Sequence, residues 1–175
     1  MSKPKIYLAG PTVFYPNSKS LSDEMKEMCS EFGFEGVYPL DNEINTKGKT
    51  KDQVAKEIAE ANVRLIKSCD AIIADITPFR GPSADAGTVF EIGYGVALGL
   101  PVIAFNKAKI DNYFDRVKSL SSNKNLKAKG VDNNGHDIEN FDQVDNLMIT
   151  KLISGYSCNG FKGALHLLKV KLQEQ

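Results

Sequence analysis

Three carboxylates fall within one short stretch of this 175-residue chain, and their setting is unusual. Asp75 closes an apolar run, Asp85 ends a loop rich in Pro and Gly, and Glu91 follows six residues later. Phe90, Ile92 and Tyr94 surround Glu91 in sequence. An acidic side chain in such company is rarely buried without a partner or a task. Two carboxylates converging on a pocket suit chemistry at an acetal-like carbon, where one attacks and the other protonates or orients. About one turn inside a helix, Glu91 is also expected to feel the helix dipole and free N–H groups, which favour the ionised form. The spacing equally admits a Glu91 that only caps its helix or pairs with Arg80.

Other residues add to this group. Tyr7 interrupts an apolar run with a phenol that needs a partner if buried, although an ordinary core tyrosine fits the pattern as well. Gly10-Pro11 makes a tight turn at which a ligand can approach the backbone. Neither G-x-G-x-x-G nor G-x-x-x-x-G-K-[ST] is present, so the dinucleotide and P-loop fingerprints are missing. Phe14 and Tyr15 follow, placed either to stack on a flat heterocycle or to cover a sheet edge. His136 and His166 have no Ser, Cys or Asp at a catalytic spacing and read as structural. Cys29, Cys69 and Cys158 form no C-x-x-C pair, so neither a disulfide framework nor a metal site is expected.

The elements that must position these side chains alternate. Residues 6–9, 37–40, 71–76 and 102–105 read as strands, the last two apolar nearly throughout, as strands covered on both faces are. Leu21, Met25, Met28 and Phe32 repeat at i, i+4, i+7, i+11; so do Val54, Ile58, Ala61 and Leu65, and Phe161, Leu165, Leu168 and Leu172. Each set is the stripe of an amphipathic helix. Residues 87–98 form a further helix stopped by Gly99 and Pro101, and a short fifth strand is expected at 147–149. Alternating units of this kind predict an α/β fold, a parallel sheet with helices on both faces. By analogy with flavodoxin-like sheets the strand order is 2-1-3-4-5, which puts the switch point between strands 1 and 3, beside loops 10–17 and 77–86. Residues 107–145 are polar and either an excursion over the surface or a lid.

Lys plus Arg and Asp plus Glu number 22 each, which removes the global electrostatic argument for binding nucleic acid or an anionic membrane. No apolar leader opens the sequence, and its longest apolar run is too short to span a bilayer. One soluble cytoplasmic domain over residues 1–175 is the expectation.

Taken together, Lys5-Ile-Tyr-Leu-Ala-Gly-Pro11, Tyr38-Pro-Leu-Asp-Asn42, Cys69-Asp-Ala-Ile-Ile-Ala-Asp75, Gly87-Thr-Val-Phe-Glu-Ile-Gly93 and Asp145-Asn-Leu-Met148 resemble, in order, the nucleoside 2-deoxyribosyltransferases. The resemblance implies a flavodoxin-like three-layer sandwich with a five-stranded parallel sheet. It implies transfer of 2-deoxyribose between nucleobases through a covalent carboxylate intermediate, in nucleotide salvage or in degradation, and homo-oligomers whose sites a neighbour completes. By motif, Glu91 matches the nucleophile, Tyr7 the tyrosine that orients it, and Phe14 an aromatic against the base. Asp85 matches the aspartate on the sugar 5′-hydroxyl, and Asn146 the asparagine that reaches the same hydroxyl from a neighbouring subunit. Two positions depart from the pattern: Asn62 stands where members often carry an aspartate that handles base protonation, and Glu43 where others read the base with Gln. No cofactor or metal is implied. Two alternatives remain on this reading, a deoxynucleoside 5′-monophosphate N-glycosidase and a nucleotide-sensing module without turnover.

Overall fold

The computed structural model describes residues 2–41, 45–107, 112–122 and 130–174. Strand β1 (Lys5–Ala9) leads through a 3₁₀ turn (Pro11–Phe14) to α1 (Ser18–Glu31) and β2 (Glu35–Val37). After a second 3₁₀ turn (Pro39–Asp41) come α2 (Lys51–Lys67), β3 (Ala71–Asp75), α3 (Ala86–Ala97) and β4 (Val102–Phe105). The chain closes with α4 (Tyr113–Ser119), the short α5 (Leu147–Thr150), β5 (Gly155–Ser157) and α6 (Gly160–Gln173). The four strand pairings of the sheet are parallel and its order is β2-β1-β3-β4-β5, as expected from the alternation and from the analogy with flavodoxin-like sheets.

Side chains of a strand alternate between faces, and that alternation divides the core. Ile6, Leu8, Ile73 and Ile103 pack with Cys29 of α1 and Leu165 and Leu168 of α6. Tyr7, Ala9, Ile72 and Val102 point the other way, against Ile66 of α2 and Ile92 of α3. Tyr7 therefore lies on the α2/α3 face because it stands between Ile6 and Leu8. Every residue of β3 is buried, which explains its unbroken apolar sequence. Gly95 lets α3 lie close on the sheet, since a Cβ there would run into Ile72 Cδ1. The start of α2 is fixed by a capping box, in which Thr50 Oγ1 accepts from Gln53 N–H and Gln53 Oε1 accepts from Thr50 N–H.

Two strands differ from the sequence expectation. The second covers Glu35–Val37 and not 37–40, because Pro39 has no N–H for a ladder and opens a 3₁₀ turn. The fifth is Gly155–Ser157 and not 147–149. Asn146 Oδ1 accepts from Met148 N–H and turns 147–150 into the single helical turn of α5. Gly-Tyr-Ser carries no apolar alternation, so β5 is recognisable only by its pairing with β4.

Candidate active site

At the carboxyl ends of β1 and β3 the tertiary structure joins residues far apart in sequence. The fully buried Tyr7 donates its hydroxyl proton to Glu91 Oε1 at 2.6 Å. Burial, with the neighbouring Glu91 charge second, holds the Tyr7 phenol well above its usual pKa, so it remains a donor. Glu91 is pushed up to about 7, chiefly by burial; the Tyr7 hydrogen bond pulls it down, and the Asp85 charge adds to the rise.

This reverses the expectation of a readily ionised Glu91. The helix begins at Ala86, so Glu91 lies in its second turn, past the free N–H groups. Asp85 is the cap: its Oδ2 accepts from Thr88 N–H at 3.2 Å. Glu91 therefore neither caps α3 nor meets Arg80, whose guanidinium lies over the Phe14 and Phe79 rings.

Glu91 opens on a cavity of about 310 Å³ that Gly10, Phe14, Asn62 and Asp85 also line. The cavity brings together five of the residues singled out in the sequence, with Tyr7 beneath Glu91. Leu40 and Ile58, not anticipated from the sequence, complete an apolar wall. A second cleft of about 340 Å³ shares Asn62, Gly87 and Glu91 and continues between α2 and α3. Gly10 is required by close approach, since a Cβ there would sit 2.9 Å from Asp75 Cβ. Asn62 is a neutral amide facing this space: it can donate or accept a hydrogen bond but cannot deliver a proton.

The remaining candidates lie elsewhere. Asp75 is buried and does not reach the cavity; its Oδ1 accepts from Thr77 N–H at 3.0 Å, and Lys107 Nζ lies 2.9 Å from its Oδ2. Asn146 lines a separate cavity on the far side of α3 and donates to Glu139 Oε2 at 2.7 Å. Glu43 lies outside the described residues.

A fully buried carboxylate that spacing did not single out as a support, Asp145, ties down the loop that carries Asp85. Asp145 accepts from Ser83 Oγ, from Ala84 N–H at 2.9 Å and from Asn146 N–H at 2.8 Å. Arg116 of α4 donates to Pro82 O at 2.7 Å and Val144 O at 2.6 Å. The described part of residues 107–145 thus braces the Asp85 loop from outside and does not hang over the cavity as a lid. Residues 108–111 and 123–129 lie outside the description.

A buried Tyr–Glu pair thus stands beside a helix-capping aspartate, at a cavity that one aromatic ring lines. A model of the nucleoside 2-deoxyribosyltransferase family matches residues 6–148. The chain belongs to that family. Among solved structures of similar shape, a 2-desoxiribosyltransferase from Leishmania mexicana is 26% identical, with a TM-score of 0.71 over 95% of this chain and 97% of that one. A 2-deoxyribosyltransferase from Bacillus psychrosaccharolyticus shares the fold at 21% identity and a TM-score of 0.51, over 78% of this chain and 98% of that one. An uncharacterized protein of Schizosaccharomyces pombe is 39% identical over 104 residues, 58% of this chain. The match spans 49% of that curated relative, about half its length. Among the described residues no helix is long and apolar enough to cross a membrane.

Proposed function

We propose that the protein transfers 2-deoxyribose between nucleobases of 2′-deoxyribonucleosides through a deoxyribosyl ester on Glu91, with retention of configuration. The observation that carries this reading is the Tyr7–Glu91 pair opening into the cavity that Asp85 and Phe14 line. A Glu91 carboxylate oxygen bonds to C1′ while the C1′–N bond breaks and its electron pair leaves with the base. The transition state is oxocarbenium-like, and a missing 2′-hydroxyl makes it easier to reach. A second base then attacks C1′ from the opposite side and frees Glu91. Two inversions give retention and ping-pong kinetics; without an acceptor, water hydrolyses the ester slowly.

Each side chain has one task on this reading. Tyr7, a donor to Glu91 Oε1, fixes the carboxylate and leaves the other oxygen to attack. Asp85 accepts from the sugar 5′-hydroxyl, Phe14 covers a face of the base, and Asn62 hydrogen-bonds to it. Gly10 lets the sugar approach the backbone, and Glu43 is assigned to the base edge. Asn146 lies outside the cavity of its own chain, which suits a homo-oligomer in which it serves a neighbouring site.

The test is chromatography of purified protein with thymidine plus adenine, beside thymidine alone and deoxyadenosine plus hypoxanthine. A new deoxynucleoside that appears only with an acceptor base is the expected result. Base release at one rate with or without acceptor would replace transfer by hydrolysis, and no turnover in any mixture would sink the enzymatic reading.

A further inference from the structure

Arg80 is exposed, and its backbone has φ 57°, the left-handed region that side chains with a Cβ rarely occupy outside Asn and Asp. A non-glycine residue persists there when its surroundings over-determine it, and such strain collects at functional sites. Its side chain takes part in no ion pair among the described residues; its Cζ stands 4.8 Å from the Phe14 ring centroid and 4.7 Å from that of Phe79. The two rings are stacked, with centroids 5.6 Å apart and planes 11° from parallel. Phe14 lines the cavity that holds Glu91, yet it is 53% exposed. The far end of the wall is braced in the same way. Tyr15 packs on Phe79 at 6.4 Å, and Lys107 Nζ stands 4.6 Å over Tyr15 while meeting the buried Asp75.

We infer that Arg80 is a positioning residue for base recognition, one that accepts a strained backbone so that its guanidinium holds the Phe14 ring upright as the wall against which a nucleobase stacks. The inference rests on the proposed function for the role of the cavity. Its action goes through Phe14, so it bears on steps in which a base occupies the site. It does not bear on the hydrolysis of the sugar ester by water.

The experiment compares wild type with Arg80→Met, Arg80→Lys, Arg80→Gly, Phe14→Leu and the double variant Arg80→Met/Phe14→Leu. Free adenine binding is measured by calorimetry, steady-state transfer from thymidine to adenine by chromatography, and Tm by scanning calorimetry. A cation over an exposed ring contributes enough for Arg80→Met to weaken adenine binding and raise the adenine KM by about two- to five-fold. The kcat at saturating bases and the hydrolysis rate without acceptor should stay within about two-fold of wild type, and Arg80→Lys should recover part of the KM. In the Phe14→Leu background, Arg80→Met should add nothing. Arg80→Gly relieves the strained φ, so its Tm should hold or rise by about 2–4 °C while its adenine KM rises as in Arg80→Met. Wild-type adenine KM in Arg80→Met, or an equal loss in the Phe14→Leu background, would overturn the inference and leave the transferase reading standing. No transfer to adenine or any other acceptor base by wild type would overturn both. A Tm that falls in Arg80→Gly with adenine KM unchanged would make Arg80 a structural residue only.

Discussion

Replacing Tyr7 by Phe removes one oxygen and tests the electrostatics of the site directly. The phenol donates to Glu91 Oε1 at 2.6 Å, and this bond opposes the burial that pushes Glu91 up to about 7. A hydrogen bond to a charged group contributes about 1.5–3 kcal/mol, and one pKa unit corresponds to about 1.4 kcal/mol. Losing the bond should therefore raise Glu91 by roughly one to two units. Wild-type Glu91 is close to half ionised at pH 7; in Tyr7→Phe the ionised fraction would fall to roughly 1–10%. Ionisation alone then predicts a loss of about 5- to 50-fold in kcat/KM at pH 7, on the reading that only the carboxylate attacks. The loss should shrink steadily toward pH 9.5, where wild type is ionised and the variant at least about three-quarters so, and a deficit beyond that small difference measures misorientation of the carboxylate. The assay is initial-rate deoxyribosyl transfer from thymidine to adenine between pH 5 and pH 9.5, with protein integrity followed by circular dichroism. An acidic limb that stays in place, or a deficit of the same size at every pH, would refute the argument.

Further expectations follow from the same geometry. Glu91 has a folded pKa above its usual 4.5, so the native state holds the extra proton between about 4.5 and 7; its stabilising contribution is full at low pH and lost as pH rises through about 7. Glu91→Gln, which does not titrate, should match wild type near pH 4 and exceed its stability above pH 8 by up to roughly 3 kcal/mol in urea melts; equal stabilities at pH 8 would contradict a costly buried carboxylate. Asp85→Ser keeps an oxygen able to cap α3 but removes a charge that raises Glu91, so the acidic limb should move to lower pH and deoxynucleoside KM should rise. The same change removes repulsion of a 5′-phosphate, so hydrolysis of deoxynucleoside monophosphates should improve; no gain would count against the placement of Asp85 at the 5′ end. Asp145→Ala leaves Ser83 Oγ–H, Ala84 N–H and Asn146 N–H without their acceptor, and should cost roughly 3 kcal/mol, or about 6–12 °C in Tm. Deoxynucleoside KM should rise with it, because the loop carrying Asp85 loosens; an unchanged Tm would show that Asp145 is not the anchor.

Local chemistry made much of this protein readable in advance. The unbroken apolar run of β3, the i, i+4, i+7 stripes of three helices and the Gly99–Pro101 stop are short-range signals, and they suffice for the alternation and the parallel sheet, whereas its order came by analogy with flavodoxin-like sheets. Glu91 was visible as a carboxylate in apolar company, and Asp85 as the end of a Pro/Gly loop. Period-two and period-3.6 patterns report which face a residue takes, and nearly all of this core lies on one face or the other of a single sheet. The signals failed where pairing partners decide. Gly-Tyr-Ser becomes β5 only because β4 offers it a ladder, and 147–149 turns helical under a one-residue cap.

Properties that depend on contact between distant residues belonged to the tertiary structure. Glu91 was expected to ionise easily from its place in a helix. Its pKa is instead set by burial against the sheet, the Tyr7 hydroxyl 84 positions away and the charge of Asp85. Asp75, as prominent in the sequence as Asp85, is taken up by Thr77 and Lys107, while Asp145 emerges as the anchor of the loop between them. The sequence by itself determined which side chains were available and on which face of each element they stand, because that information is carried by neighbours one to four residues apart. Only the packed structure decided which carboxylate faces the cavity, which one caps the helix and which ones hold the frame, because desolvation and hydrogen bonding are set by groups the chain brings together from far away.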